Sequence, residues 1–261
     1  MIVTNSPAAT ATIPRHASPD VSVVFVTYGT GQIVVKALAT LAQTMPAHIA
    51  YEAIVVDNPH GMYPGRSMRW LALATSGVRV VQPRHNRGFG GGCGTGVEHA
   101  RGQTIVFANP DIEFRGDWLA PLADALNEPA VFVAAPVLLN PDGSVQEAGV
   151  WIRDDGWAHF NLDAPGFGEI AEVVHASAAC WVVQRERFEQ LGGFDEAYWP
   201  AYYEDIDLVF RARKLGLRVI VHGSSRVVHH MSQSVPDEPS NIEPQRDEFL
   251  HRYPEATITR P

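Results

Sequence analysis

Three short apolar runs in the first 111 residues alternate with helical patterns, and this alternation constrains the fold strongly. Residues 21–27, 52–57 and 104–108 are rich in β-branched side chains, as strands are when both faces of their sheet are covered. Residues 32–44 carry apolar side chains at helical spacing. Strands and helices that alternate in this way build a mostly parallel, Rossmann-like sheet with helices on both faces, so the sequence predicts an α/β fold.

The polar residues at the ends of these strands predict a binding site. Thr27 and Tyr28 end the first strand, Asp57 ends the second, and Asn109 and Asp111 follow the third. The carboxyl ends of parallel strands meet at one edge of a sheet, and α/β proteins bind their ligands there. We therefore expect these five side chains to lie together, although each also suits a turn or a helix cap.

A glycine-rich stretch provides a second indication. Residues 86–96 hold six glycines in eleven positions, which predicts a loop whose backbone N–H groups can approach an anion such as a diphosphate. Asn86, Arg87 and Gly88 open this stretch, and Arg87 adds positive charge. The alternative is a mobile loop or the tight packing of a helix on a strand. The glycine spacing does not fit the dinucleotide motif G-x-G-x-x-G, and the chain contains no Walker A, H-E-x-x-H or G-x-S-x-G motif.

The second half of the chain has a different pattern. Residues 130–139, 180–184 and 217–221 are predicted strands, residues 140–143 are a turn, and residues 205–215 fit an amphipathic helix.

Carboxylates and a histidine are the candidate catalytic and metal-binding groups. Glu204 and Asp205 begin the predicted helix beside aromatic residues, and adjacent acids cannot both cap the same site, so one of them can serve as a general base. Asp111 beside a phosphate site is a natural ligand for Mg²⁺ or Mn²⁺. The imidazole of His229 is a further possible ligand, although a lone histidine is more often structural.

The order of these motifs resembles a known family. The motifs are Val-Thr-Tyr28, Val-Val-Asp-Asn58, the glycine-rich stretch, Asn-Pro-Asp111, Gly-Gly-Phe-Asp-Glu196, Tyr-Glu-Asp-Ile-Asp-Leu208 and Val-Val-His229. Together they resemble a family 2 glycosyltransferase of the GT-A fold, and most of all its bacterial rhamnosyltransferase-like branch, in which Asn-Pro-Asp takes the place of the usual DxD. The segment from His175 to Trp181 departs from the small Ser-Gly-containing loop that is usual there.

The resemblance implies inverting, metal-dependent transfer of a sugar from a nucleotide diphosphate sugar to an acceptor hydroxyl. It implies that Asp205 is the general base, with Glu204 beside it, and that Asp111 and His229 bind Mg²⁺ or Mn²⁺. It also implies a nucleotide-sugar site made of Thr27, Tyr28, Asp57, Asn86, Arg87, Gly88, Asn109 and Asp111. We further expect an acceptor side that includes Trp181, Trp199 and Tyr203.

Charge and hydropathy narrow the class of partner. The 261 residues include 20 Lys+Arg and 29 Asp+Glu, which gives a formal net charge of −9, whereas nucleic-acid binding generally needs a basic face. No apolar run approaches the ~20 residues that span a bilayer. The widely separated Cys93 and Cys180 favour a reducing compartment. We therefore expect a cytoplasmic protein with no nucleic-acid partner and no transmembrane segment, which can still meet the inner face of the membrane peripherally.

The resemblance and the composition together predict the domain organisation. Residues 1–20 are expected to be a flexible leader. The GT-A domain is expected at 21–234, with a nucleotide-binding half at 21–111 and an acceptor and catalytic half at 112–234. Residues 235–261 are expected to be a polar tail with one short helix near residues 246–251.

Several alternatives stay open at this point. The donor is a dTDP- or UDP-sugar, with dTDP-rhamnose as the first candidate, and the acceptor is a glycan, a lipid-linked sugar or a small molecule. A sugar nucleotidyltransferase would need a basic loop such as G-x-G-T-R, and the sequence after Tyr28 lacks that arginine. A non-catalytic nucleotide-sugar-binding module would not need both Asp111 and Asp205. The oligomeric state is open.

Overall fold

The computed structural model describes residues 11–60, 71, 74–231 and 242–254. Most of the helix predicted at residues 68–75 lies outside this part. The helices are α1 (Gly31–Thr44), α2 (Gly88–His99), α3 (Ala120–Ala125), α4 (Arg185–Gln190), α5 (Glu204–Arg213) and α6 (Glu243–Arg252), with a 3₁₀ turn at Glu196–Tyr198. None of these helices is both long and apolar enough to cross a bilayer.

The strands of the described residues form one large sheet and two small ones. In chain order the strands are β1 (Ala11–Thr12), β2 (Val21–Tyr28), β3 (Tyr51–Asn58), β4 (Thr75–Ser76), β5 (Arg79–Val81), β6 (Thr104–Ala108), β7 (Ile112–Phe114), β8 (Val131–Leu139), β9 (Val145–Glu147), β10 (Val150–Ile152), β11 (Ala158–Phe160), β12 (Ile170–Val173), β13 (Cys180–Gln184) and β14 (Arg218–His229). The main path of the large sheet runs β12-β14-β8-β13-β6-β2-β3-β5.

The large sheet is mixed, and its parallel part brings the predicted site residues together. β2 pairs in parallel with β3 and with β6, whereas β13 runs antiparallel to β6 and β8. The β2–β3 register sets Thr27 beside Asp57 and Tyr28 beside Asn58. The predicted strands of the first half are confirmed, and the polar ends of β2, β3 and β6 lie at the same edge.

Helices cover both faces of this sheet, as predicted. Val34, Leu38 and Leu41 of α1 belong to a buried cluster on one face. Helices α2, α4 and α5 contribute buried side chains to a cluster on the other face, Cys93 and Val209 among them. Both faces of β2 and β3 are therefore apolar, which explains why these strands are almost continuously hydrophobic.

The glycine-rich stretch is a helix from Gly88 to His99, so the expected anion-binding loop was wrong and the alternative, the tight packing of a helix on a strand, is confirmed. Its glycines allow α2 to lie directly on β2. A Cβ atom at Gly96 would lie 2.2 Å from Cγ1 of Val24, and one at Gly92 would lie 2.7 Å from Cγ1 of Val26. Glycine is a poor helix former, so its density here suggests a loop, but close packing on the strand overrides that propensity.

The packed domain extends past both predicted boundaries. β1 pairs in parallel with β4, and Arg101 donates hydrogen bonds to the backbone carbonyls of His16 and Ala17. Residues 11–20 are therefore packed onto the domain and are not a free leader. Residues 1–10 lie outside the described part.

The predicted polar tail includes a docked helix. α6 confirms the short helix expected near residues 246–251. Its Phe249 is fully buried, and the phenol of Tyr253 donates to the Asp207 carboxylate at 2.9 Å. Asp207 also accepts a hydrogen bond from Arg211 at 2.8 Å. The third acid of the Glu-Asp-Ile-Asp motif thus anchors α6 and does not face the pocket.

Candidate active site

A pocket of about 390 Å³ lies at the edge where β2, β3 and β6 end, and the first residues of α5 close its other side. Its wall combines predicted residues from both halves of the chain. The predicted site residues that line it are Thr27, Tyr28, Asn86, Gly88, Asn109, Glu204, Asp205 and His229.

Three of the predicted donor-binding residues, Asp57, Arg87 and Asp111, do not line the pocket. The Thr27 hydroxyl donates a hydrogen bond to the Asp57 carboxylate at 2.9 Å, so Asp57 orients a side chain of the pocket. Arg87 is paired with the carboxylate of Glu196 and donates to the Thr95 hydroxyl at 3.0 Å. Thr95 of α2 and Glu196 of the 3₁₀ turn hold the guanidinium of Arg87, which does not line the pocket. The expectation that Arg87 approaches a diphosphate is therefore corrected.

The three residues expected on the acceptor side also do not line the pocket. Trp181 and Tyr203 are buried, whereas Trp199 is exposed outside it. Each side chain donates to a backbone carbonyl: Trp181 to Ala176 at 2.8 Å, Trp199 to Asn86 at 3.2 Å and Tyr203 to Gly156 at 2.9 Å. These hydrogen bonds hold the wall segments in place. The aromatic rings that line the pocket are instead Tyr28, Phe89, Phe160 and Tyr202.

Asp111 and His229 meet because β14 is longer than predicted. The strand continues past residue 221 and pairs antiparallel with β7, which sets His229 opposite Ile112. Nε2 of His229 lies 3.3 Å from Oδ1 of Asp111. Both side chains are buried, and His229 reaches the pocket surface.

Gln146 fixes which nitrogen of His229 carries the proton. Its amide nitrogen donates to Oδ1 of Asn140 at 3.0 Å and to the backbone carbonyl of His229 at 3.1 Å, so its oxygen faces the ring. That oxygen lies 2.7 Å from Nδ1 of His229. The network therefore assigns a proton to Nδ1, so Nε2, on the side of Asp111, is the ring nitrogen that can bind a ligand.

The Asp111–His229 pair fits a divalent cation. A carboxylate oxygen and an imidazole nitrogen 3.3 Å apart can both donate an electron pair to one cation when Nε2 carries no proton. The described residues contain no cluster of three or more histidine, cysteine or acidic side chains suited to a metal. A cation at this pair would therefore take its other ligands from water and from phosphate oxygens, as Mg²⁺ and Mn²⁺ often do.

Glu204 and Asp205 differ in charge although they are adjacent. Burial raises the pKa of Glu204, and the charge of Asp205 raises it further. Burial also raises the pKa of Asp205, but the neighbouring His175 and the N–H groups of Ala178 and Ile206 outweigh it, so the pKa is lowered overall. The two adjacent carboxyl groups therefore differ, because Asp205 is held in its ionised form and Glu204 keeps its proton to a higher pH than an ordinary glutamate does.

The backbone before this pair is strained. Tyr202 and Tyr203 have φ values of 76° and 72°, in the left-handed region that side chains other than glycine rarely adopt. Their conformation turns the chain into α5 and brings Glu204 and Asp205 to the pocket. Strain of this kind is common at functional sites.

Three polar residues of the site were not among the predicted site residues. Gln146 orients His229, His175 lies 3.3 Å from Asp205, and Glu147 accepts a hydrogen bond from the backbone of Ser177 at 2.7 Å. Burial raises the pKa of Glu147 to about 7 against the opposing effects of Ser177 and His175. The unusual segment beginning at His175 was the only sequence signal for any of them.

Comparison with known proteins gives the family. The model of glycosyl transferase family 2 matches residues 22–192. The chain belongs to this family. The family 2 chain is 32% identical over 149 residues to the O-antigen biosynthesis protein RfbC of Myxococcus xanthus, which covers 53% of the chain and 12% of that protein.

The predicted rhamnosyltransferase-like branch is also represented among its relatives. The family 2 chain is 28% identical over 155 residues to the N-acetylglucosaminyl-diphospho-decaprenol L-rhamnosyltransferase of Mycobacterium tuberculosis, which covers 52% of the chain and 50% of that enzyme. The chain thus spans half or less of the length of these two relatives.

A solved structure confirms the GT-A fold. The structure of GalNAc-T7 with UDP, GalNAc and Mn²⁺ superposes with a TM-score of 0.73 at 15% identity, over 91% of this chain and 48% of that one. The predicted family and fold are both confirmed.

Proposed function

We propose that the family 2 chain transfers a sugar from a nucleotide diphosphate sugar to an acceptor hydroxyl, with inversion and with the help of a divalent cation. The observation that carries this proposal is that two unlike carboxylate sites meet at one pocket. Asp205 is held ionised beside Glu204, whose pKa is raised, and Asp111 is paired with His229, which lines the pocket. The first site suits a base, and the second suits a cation at a leaving diphosphate.

The donor nucleoside is proposed to bind at the ends of β2 and β3. The Thr27 hydroxyl donates its hydrogen bond to Asp57. The lone pairs of its oxygen are therefore left to accept an N–H of a pyrimidine base. Tyr28 supplies an aromatic surface at the same place. A UDP- or dTDP-sugar fits these groups, and the rhamnosyltransferase among the relatives keeps dTDP-rhamnose as the first candidate.

Asp111 and His229 are the residues that would hold the cation. When bound, Mg²⁺ or Mn²⁺ would neutralise charge on the diphosphate. The GalNAc-T7 structure contains Mn²⁺ together with UDP, which supports this reading by analogy. Asn109 lies beside the pair, with its amide nitrogen 3.4 Å from Nε2 of His229.

Asp205 is proposed to act as the general base. The acceptor oxygen forms a bond to the anomeric carbon, its proton moves to the Asp205 carboxylate, and the donor C–O bond breaks with its electron pair going to the diphosphate. A single displacement of this kind inverts the anomeric configuration and needs no covalent nucleophile. Glu204 is less suited to this role, because burial and the charge of Asp205 raise its pKa and favour its neutral form.

A two-stage experiment tests the proposal. A thermal-shift screen of UDP-, dTDP- and GDP-sugars, each with and without Mn²⁺, should give stabilisation by a UDP- or dTDP-sugar that depends on the metal. Turnover of that donor should then release the nucleoside diphosphate. Release of pyrophosphate from a nucleoside triphosphate would favour a nucleotidyltransferase. Binding with no turnover against a broad panel of acceptors would favour a non-catalytic module.

A further inference from the structure

His175 lies directly behind the proposed base. Its side chain is 2% exposed, and its Nε2 is 3.3 Å from Oδ2 of Asp205. The segment that begins at His175 also supplies the backbone N–H of Ala178, which donates to the same oxygen at 3.0 Å. One short segment therefore approaches one oxygen of the base from two directions.

The donors around the Asp205 carboxylate leave one of its acceptor positions open. An ionised carboxylate has about four acceptor positions, two on each oxygen. Oδ2 faces His175 and Ala178, which use both of its positions. Oδ1 accepts the backbone N–H of Ile206 at 2.8 Å, and the described residues give it no second donor. The position left to take a proton is therefore on Oδ1.

The protonation of His175 follows from the same contact. Asp205 is ionised, so Nε2 of His175 must carry a hydrogen in order to face its carboxylate. The other ring nitrogen, Nδ1, is buried and has no hydrogen-bond partner in the described part of the chain. A histidine with a purely structural role normally satisfies its buried nitrogens, so an unpaired one calls for another explanation.

The surroundings of the ring keep it in place. Trp181 packs against it edge to face, with ring centroids 5.9 Å apart, and the His175 backbone carbonyl accepts the N–H of Val150 at 2.7 Å. The buried Glu147 holds the next turn of the segment through the N–H of Ser177. The imidazole therefore has little freedom to move away from Asp205.

We propose that His175 is a positioning residue for the general base: its Nε2–H holds Oδ2 of Asp205, so that Oδ1 is the oxygen that receives the acceptor proton. This inference rests on the proposed function, because it assigns a role within that transfer reaction. It predicts that His175 affects the rate of transfer through Asp205 and does not affect binding of the donor.

The test compares two substitutions at this position in the complete chain. His175→Gln keeps an N–H donor near Nε2, whereas His175→Phe keeps a buried ring without a donor. With the nucleotide sugar and acceptor on which the parent is active, His175→Phe should lower kcat about 10- to 100-fold and leave the donor KM within about twofold. His175→Gln should restore kcat to within about fivefold of the parent.

Trp118→Phe is the matched control. Trp118 is fully buried outside the pocket, and its ring N–H donates to the Thr44 hydroxyl at 3.2 Å. This variant also loses a hydrogen bond from a buried ring, and its kcat should stay within about twofold of the parent. Circular dichroism and thermal melting of each variant identify any loss of folded protein, and rates are expressed per folded molecule.

A double-mutant cycle with Asp205→Asn separates positioning from general damage. If His175 acts through Asp205, His175→Phe should change the residual rate of Asp205→Asn by no more than about twofold. The inference is overturned if His175→Phe is as active as the parent, if His175→Gln gives no rescue, or if the two losses multiply. A parent chain that transfers no sugar would refute the proposed function itself, which is a distinguishable result.

Discussion

Two carboxylate–imidazole pairs lie at the pocket, alike in geometry and unlike in chemistry, and each contributes one side chain to its wall, Asp205 or His229. Nε2 of His229 lies 3.3 Å from Asp111, and Nε2 of His175 lies 3.3 Å from Asp205. The difference is at the other ring nitrogen. Gln146 accepts from Nδ1 of His229, whereas Nδ1 of His175 has no hydrogen-bond partner among the described residues.

This difference decides what each pair can do. A proton fixed on Nδ1 makes Nε2 of His229 the ring nitrogen that can bind a cation together with the Asp111 carboxylate. A proton on Nε2 of His175 instead makes a hydrogen bond to Asp205 and stabilises its ionised form. The contact distance alone would not separate the two roles, so the second partner of each imidazole has to be considered.

The largest effect is expected from Asp205→Asn. The amide cannot accept the acceptor proton, so the transfer rate should fall about 10²- to 10⁴-fold while donor affinity is kept. Single-turnover transfer with saturating donor measures this. Asp142→Asn, which changes an exposed carboxylate in a turn, is the control and should match the parent. Unchanged transfer by Asp205→Asn would remove Asp205 from the role of base.

The free energy of unfolding is expected to depend on the ionisation of Glu147. This carboxyl group accepts a hydrogen bond from the segment that begins at His175. Its pKa is raised from 4.5 to about 7 by burial, so the folded state holds a proton that the unfolded state releases. The contribution of Glu147 to stability should therefore be greatest below pH 4.5, fall as the pH rises to about 7 and then level off. Over this window the contribution is at most about 3 kcal/mol.

Urea unfolding at pH 5 and pH 8 measures this effect. Glu147→Gln cannot ionise and should lose less free energy of unfolding between the two values than the parent does. Glu172→Gln changes an exposed carboxylate and should follow the parent curve. Equal pH dependence in the parent and in Glu147→Gln would show that Glu147 is already ionised in the folded protein at pH 5.

At the Asp111–His229 pair, Asp111→Asn should weaken Mn²⁺-dependent binding of the nucleotide diphosphate about 100-fold, because a charged oxygen ligand is lost. Calorimetric titration with and without Mn²⁺ measures the metal-dependent part of the affinity. EDTA should reduce the parent to the affinity of the variant. If the variant keeps the full response to Mn²⁺, the cation is held elsewhere.

A smaller loss of Mn²⁺-dependent affinity for the nucleotide diphosphate, about tenfold, is expected from Gln146→Leu. The substitution removes the acceptor that holds the proton on Nδ1 of His229, so Nε2 is no longer fixed as a lone-pair donor. The same calorimetric titration applies. Gln184→Leu is the control, since Gln184 bonds a backbone carbonyl of Leu126 outside the pocket. A Gln146→Leu chain with parental Mn²⁺ affinity would contradict the assigned protonation.

The smallest effect is expected from Glu204→Gln. Burial and the charge of Asp205 raise the pKa of Glu204 and favour its neutral form, and glutamine is a neutral side chain of the same shape. The transfer rate should fall less than about fivefold, in contrast to Asp205→Asn. A loss as large as that of Asp205→Asn would mean that Glu204 is ionised during the reaction.

Much of the pocket could be predicted from the sequence because it follows from strand pairing. Apolar runs determine a parallel sheet, and the register of β2 and β3 then brings Thr27 and Asp57 together. The glycine stretch was misjudged because propensity favours a loop, whereas contact with Val24 and Val26 favours a helix. The packing of α2 on β2 is a tertiary contact, and the local sequence does not indicate it.

The two imidazole environments could not be predicted for a related reason. Gln146 reaches His229, and His175 reaches Asp205, only after β9, β14 and α5 have packed. No spacing in the sequence indicates these pairs. The ion pair between Arg87 and Glu196 was not predicted for the same reason, because the two residues are remote along the chain. The peripheral membrane contact and the cytoplasmic location stay predictions.

One crossed measurement tests the division of labour between the two pairs. The donor Kd with and without Mn²⁺ and the single-turnover transfer rate are determined for the parent, Asp111→Asn and Asp205→Asn. We predict that Asp205→Asn binds the donor with the parental response to Mn²⁺ and transfers slowly, whereas Asp111→Asn loses that response. Loss of the Mn²⁺ response in Asp205→Asn, or its full retention in Asp111→Asn, would contradict this account.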